Sequence, residues 1–335
     1  MTSIPGIPTT VLVAPDSFKG TLTAAQVADA VGRGLEAAGR PVDLCPVADG
    51  GEGTLEALLV ALDGERRTTT ATDPLGRPIE AVFGIGEGAP GPVVGIVEMA
   101  VASGLGLVEE SERDPVQAST FGTGQLIMAA IEAGAQDVYL GVGGSATTDG
   151  GAGAIRAIRE AGGLGGARII VLTDVRTPFE QAARVFGPQK GADEAAVVCL
   201  TKRLNDQARR LRRDPRGVPM TGAAGGLSGG LWAEFGAELV PGAQFVLDAV
   251  DFDRRMRAAR AVVTGEGKLD QQSLAGKLVS EISTRARQAG VPCHAIVGTR
   301  ELDSFGVRVL DLQAVFEAST PRQISAAARR LAEVL

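Results

Sequence analysis

Short apolar runs followed by amphipathic stretches open and close this chain, and a differently textured middle separates them. Val11-Leu-Val-Ala14 is a continuous apolar run suited to a fully buried parallel strand. It breaks at Pro15, and Thr23 is placed to cap a helix reaching Ala38, with Val27, Val31 and Leu35 on one face. A second run, Val42–Val47, leads through Ala48-Asp-Gly-Gly-Glu-Gly-Thr54 into a helix over Leu55–Leu62. From about Arg66 to Val94 the texture changes to threonine-rich segments punctuated by Pro and Gly, which read as strands joined by turns. After Asp253 the alternation resumes, with strands at Ala261–Thr264, Pro292–Val297 and Ala314–Phe316 and helices at about Lys277–Ala289 and Ile324–Leu335. One parallel sheet assembled from both chain ends, with the middle inserted as a second domain, is the simplest solution. The expected boundaries are 1–66 plus 254–335 for the first domain and 67–253 for the insert.

Length supports that division, since 335 residues suffice for about two domains. The net charge of −7 argues against a nucleic-acid partner, which needs a basic face. Three cysteines, Cys45, Cys199 and Cys293, lie far apart and form no CxxC pair, so neither a zinc site nor a disulfide framework is expected. The N-terminal MTSIPGIPTT lacks the basic and apolar parts of a leader. The longest apolar stretch, Val93–Val108, is interrupted by Glu98 and three glycines and spans no membrane. These features point to a cytoplasmic protein.

The chemistry-bearing stretch is Gly141–Gly153, GVGGSATTDGGAG, between the apolar run Asp137–Val142 and a helical segment beginning at Ala154. Strand, glycine turn and helix start aim backbone N–H groups and a helix dipole at one spot, which suits a phosphate; the same glycines equally serve a tight turn. Candidate phosphate contacts are Gly143, Gly144, Ser145, Thr147, Gly150 and Gly151, with Asp149 as a carboxylate for a metal ion. Three other loops also set acids beside glycine at strand ends: Asp16 with Ser17 and Lys19, Asp49 with Glu52, and Glu266 with Asp270. Asp174 closes a further apolar run, Ile169–Leu172. Carboxylates among glycines, with a single histidine (His294) inside an apolar run, fit Mg²⁺ and phosphate and not zinc or redox metals. No G-x-S-x-G elbow and no P-loop occur. Lys19 and Lys190, each beside a glycine, supply point charges for a phosphate or small carboxylate.

Taken together, Ala14-Pro-Asp-Ser-Phe-Lys-Gly20, Val47-Ala-Asp-Gly-Gly-Glu-Gly-Thr54, Gly143–Gly153, Val185-Phe-Gly-Pro-Gln-Lys-Gly-Ala192, Gly222-Ala-Ala-Gly-Gly-Leu227 and Gly265-Glu-Gly-Lys-Leu-Asp270 resemble the type I glycerate kinase family. The resemblance implies phosphorylation of D-glycerate with ATP and Mg²⁺, typically to 2-phosphoglycerate. It also implies a flavodoxin-like parallel-sheet domain built from both chain ends, with an inserted α/β domain likened to restriction endonucleases. Two departures stand out. Ala161–Ala167 is shorter than the usual segment, and Arg176 replaces an acid in Asp174-Val-Arg-Thr-Pro-Phe179.

The resulting expectation is a cleft between the domains. Asp16 or Asp49 acts there as general base, Lys19 and Lys190 meet the glycerate carboxylate, and Ser17, Glu52, Glu266 and Asp270 line the substrate. Asp149 or Asp174 holds Mg²⁺ beside the ATP phosphates. Small molecules are the only expected ligands, with no nucleic acid or membrane partner, and the assembly is a monomer or homodimer. A kinase for another small acid or sugar, and a nucleotide-binding regulator without turnover, remain alternatives.

Overall fold

The computed structural model describes residues 9–87 and 91–335, so residues 1–8 of the stretch weighed for a leader lie outside it. The chain forms two compact units, Met1–Asp49 with Ala243–Leu335, and Gly50–Gly242.

In the first unit the five expected runs become five parallel strands, in the order Leu312–Glu317, Cys293–Val297, Ala261–Gly265, Val11–Pro15, Val42–Leu44. Numbered along the unit's own chain this is 2-1-3-4-5, the flavodoxin-like doubly wound order. Its direction reverses between Val11–Pro15 and Ala261–Gly265, which pair from Val11↔Ala261 to Pro15↔Gly265. Val11–Ala14 and Ala261–Val263 are fully buried, as strands covered on both faces must be. Thr23 and Gln26 form a capping box at the start of helix Ala24–Ala37. Its buried Val27, Val31 and Leu35 share a core with Ile324, Ala328 and Leu331 of helix Pro321–Leu331. Helix Leu278–Ala289 packs against Ala261–Gly265 and Cys293–Val297.

The second unit is built on a six-stranded mixed sheet. Glu65–Thr72, Pro78–Glu87 and Val93–Glu98 form an antiparallel meander. Asp137–Gly141, Arg168–Leu172 and Glu238–Val240 then add in parallel. Helices Phe121–Glu132 and Ala152–Glu160 cover it over a core of Leu126, Ile127, Leu140, Ile158 and Val171.

The chain crosses between units at Asp49/Gly50 and Gly242/Ala243, against expected boundaries at 66/67 and 253/254. Helix Thr54–Ala61, assigned from sequence to the first domain, packs on Pro78–Glu87 and Val93–Glu98. Its Leu55 and Leu59 lie over Gly84, so close that an added Cβ there would meet them at 2.8 and 2.9 Å. Gly50 adopts φ +88° with the Leu172 carbonyl 2.7 Å from where a Cβ would be, and Gly242 Cα at 3.2 Å from the same point. Only glycine fits. At the other crossing, residues after 242 belong with the first unit: Arg285 reaches Asp248 at 2.7 Å, and Arg255 reaches Asp43 at 2.6 Å.

Candidate active site

In open α/β sheets a crevice forms beyond the strand ends where the strand order reverses. In the first unit the residues that follow the two strands at this point are Asp16 and Glu266. The two strand ends are held tightly: the Asp16 amide donates to the Gly265 carbonyl at 2.8 Å, and a Cβ on Gly265 would lie 2.1 Å from the Ile296 carbonyl. A cleft of about 410 Å³ opens there, lined by Asp16, Lys19, Asp49, Glu266, Asp270 and Lys277 among others. Its size suits a small ligand.

Asp16 and Glu266 are only 5% and 9% exposed. Burial, reinforced by the Asp49 carboxylate, holds Asp16 well above the usual carboxylate range, while Lys19 and the Ser17 amide (2.7 Å to Oδ1) oppose the rise. Burial likewise lifts Glu266 to about 7, opposed by the Ser273 hydroxyl, which donates to Oε1 at 2.5 Å. Lys19 Nζ lies 3.5 Å from Asp49 Oδ2, and that carboxylate is the main cause of its raised pKa. Asp270 Oδ1 accepts from the Gln272 amide at 2.8 Å, and Ser273 Oγ accepts from the Asp270 amide at 3.1 Å. The product is two desolvated carboxyls with raised pKa, Glu266 at about 7 and Asp16 well above its ordinary range, with cations at the rim. This is the equipment of general acid–base chemistry.

The glycine turn belongs to the second unit and uses its groups differently. Asp149 is 8% exposed. Its Oδ2 accepts from the Thr120 amide and hydroxyl, both at 2.9 Å, and from the Gly153 amide at 3.0 Å, while Oδ1 accepts from the Gly151 amide at 3.0 Å. A carboxylate so occupied caps helix Ala152–Glu160 and does not fit a metal ligand. The Gly150 amide donates to the Gly225 carbonyl at 3.0 Å, so the Gly150 and Gly151 N–H groups expected to meet phosphate have internal acceptors. Gly143 and Gly144 form the accessible part of the turn. Lys190 is 5% exposed and donates to Ser145 Oγ at 2.7 Å and to the Thr147 carbonyl at 2.6 Å. Burial depresses its pKa to about 7. It braces the turn from inside, so the expected contact with a glycerate carboxylate has no geometric support. The buried hydroxyls of Thr147 and Thr148 have no hydrogen-bond partner among the described residues.

Glu52 is exposed in the second unit, and Asp174 is half-buried beyond Arg168–Leu172. Of the acids expected to converge, Asp16, Asp49, Glu266 and Asp270 share one cleft, whereas Asp149 is committed to Thr120 and to the Gly151 and Gly153 amides. Among the described residues no group of three or more His, Cys, Asp or Glu side chains is arranged to hold a metal ion. No helix among them is long and apolar enough to cross a membrane.

Sequence reading missed Ser273 and Glu98. Ser273 is a fully buried serine in a polar loop, with no signal beyond its nearness to Glu266. Glu98 does carry a signal, a carboxylate interrupting a buried apolar run. Its Oε1 accepts from the Leu55 amide at 2.7 Å, anchoring helix Thr54–Ala61, and burial lifts its pKa to about 7.

A flavodoxin-like sheet with two buried carboxyls at its switch point, carrying an inserted mixed α/β unit with a glycine turn, defines an enzyme for small polar molecules. The chain belongs to the glycerate kinase family, whose model matches residues 11–161 and 158–335. It is therefore an ATP-dependent phosphotransferase. It is 38% identical to a glycerate kinase of Halalkalibacterium halodurans over 87% of this chain and 85% of that one. It is 37% identical to the glycerate 2-kinase of Escherichia coli K12 over 92% and 90%. Among solved structures, a glycerate kinase 2 candidate from Salmonella typhimurium LT2 superposes with a TM-score of 0.81 at 32% identity, covering 98% of both chains.

Proposed function

We propose that this enzyme transfers the γ-phosphoryl group of ATP to D-glycerate, giving 2-phosphoglycerate in preference to 3-phosphoglycerate. The observation that carries the reading is the switch-point cleft, where two buried carboxyls with raised pKa stand beside lysines. Phosphoryl transfer needs positioning, charge neutralisation and one acceptor for the alcohol proton. Asp16 takes that proton, because desolvation and the Asp49 carboxylate make it the stronger base. Asp49 holds Lys19 at the cleft rim, and Glu266, fixed by Ser273, orients the reacting hydroxyl. Gly143, Gly144 and Ser145 are the part of the glycine turn left to meet nucleotide phosphate. Mg²⁺ bound with the nucleotide supplies charge neutralisation. Asp149 is unsuited to hold it, and Asp174 is the remaining candidate. The glycerate kinase named as a 2-kinase in Escherichia coli supports the preferred product.

A coupled ADP-release assay with D-glycerate, Mg²⁺ and ATP, followed by NMR of the product, tests the reading. Turnover with phosphate on the 2-oxygen is expected. ADP release with some other hydroxy acid or sugar, and none with D-glycerate, overturns the acceptor. Phosphate on the 3-oxygen overturns only the regiochemistry.

A further inference from the structure

A hydroxy acid brings a carboxylate into a cleft already crowded with acids, so something there must receive it. Lys19 is engaged by Asp49 at 3.5 Å, and Lys268 by Glu301 at 2.9 Å. Lys277 differs. It lines the cleft, donates to the neutral Gln272 Oε1 at 2.9 Å, and makes no ion pair among the described residues. It is also the N-cap of the twelve-residue helix Leu278–Ala289, and its side chain makes no capping hydrogen bond among the described residues. The first-turn N–H groups and the positive end of the dipole therefore stand beside an unpaired ammonium.

A separate observation points to a ligand at the same place. Ser17 lines this cleft, is 2% exposed, and its buried hydroxyl has no hydrogen-bond partner among the described residues. A buried hydroxyl without a partner is costly unless a bound group satisfies it. The charge of Lys277 also opposes the rise at Glu266, so it acts within electrostatic reach of that carboxyl.

We propose that Lys277, the open N-terminus of helix Leu278–Ala289 and the Ser17 hydroxyl form the subsite that receives the acceptor's carboxylate. The proposal rests on the hydroxy-acid reading given above. It makes Lys277, and not the buried Lys190, the lysine that selects acids over neutral alcohols. With the carboxylate fixed there, the adjacent carbinol oxygen is presented to Asp16 and Glu266.

The test is steady-state kinetics of the full-length enzyme with D-glycerate and ATP varied independently. For Lys277→Met, KM for D-glycerate is expected to rise about 10- to 100-fold, the loss typical of a charge-assisted contact. KM for ATP should stay within about two-fold, and Lys277→Arg should recover much of the loss because charge is retained. Ser17→Ala, a change small enough to keep the fold, should raise the same constant by about 3- to 10-fold. An unchanged KM for D-glycerate in Lys277→Met or in Ser17→Ala, or an equal rise in both substrates' constants, overturns the subsite while leaving the acceptor assignment standing. A wild-type enzyme that turns over no D-glycerate overturns both.

Discussion

The cleft beyond Asp16 and Glu266 and the turn Gly141–Gly153 are made from the same ingredients, acids set among glycines where a strand gives way to a helix, yet they spend their carboxylates in opposite ways. In the turn, four donors saturate Asp149, and the acid becomes part of the backbone's hydrogen-bond accounting. In the cleft, Asp16 accepts from the adjacent Ser17 amide and Glu266 from the Ser273 hydroxyl, and burial raises both pKa values. The lesson is about lone pairs. A carboxylate is available for chemistry when its folded neighbours leave it under-bonded, and composition is silent on that point.

Substituting one acid in each region separates the two roles by the widest margin. Asp16→Asn should lower kcat by about 10²- to 10⁴-fold, as loss of a general base does, with the melting temperature close to wild type. Asp149→Asn should instead cost stability, at least about 2 kcal/mol by denaturant titration, because an amide N–H would face donors. A stable but inactive Asp149→Asn protein would erase the distinction.

The acidic limb of the rate profile comes next. If the Glu266 carboxyl must be ionised, kcat/KM falls about tenfold per pH unit below about 7, and ionisation of Asp16, also raised by burial, steepens the limb. Glu266→Gln should displace that limb, and a profile flat from pH 5 to 8, as a span about neutrality, would refute the assignment.

A further effect sits outside both regions. Glu98 has a folded pKa of about 7 against an ordinary value of 4.5, so folding favours its protonated form. Its contribution to stability is complete below pH 4.5 and disappears as pH rises to about 7. The share of Glu98 in the fall of wild-type stability across that window is at most about 1.4 kcal/mol per pH unit, and Glu98→Gln should lessen the slope by up to that amount, leaving the part due to Glu266 and Asp16.

Much of the architecture was legible. Apolar runs at Val11–Ala14, Ala261–Val263 and Cys293–Val297 can be little other than buried parallel strands, and their spacing implied a sheet made from both ends. Asp16, Lys19, Asp49, Glu266 and Asp270 could be picked out because acids beside glycine at strand ends are conspicuous. What stayed hidden depends on distant partners. Thr120, which occupies Asp149, lies 29 positions away, and Ser145, which receives Lys190, lies 45 away. The crossing at Gly50 was equally unreadable, since it is set by Leu172 and by the seating of Leu55 and Leu59 over Gly84.

Gly50 and Gly242 also carry an evolutionary implication. The first and last residues of the intervening unit touch, so 193 residues leave the polypeptide and rejoin it at virtually one point. A polypeptide interrupted this way behaves as a host with a cassette: the parallel sheet needs only a peptide-length splice to be continuous again. That geometry is what makes grafting a whole folded module into a loop tolerable.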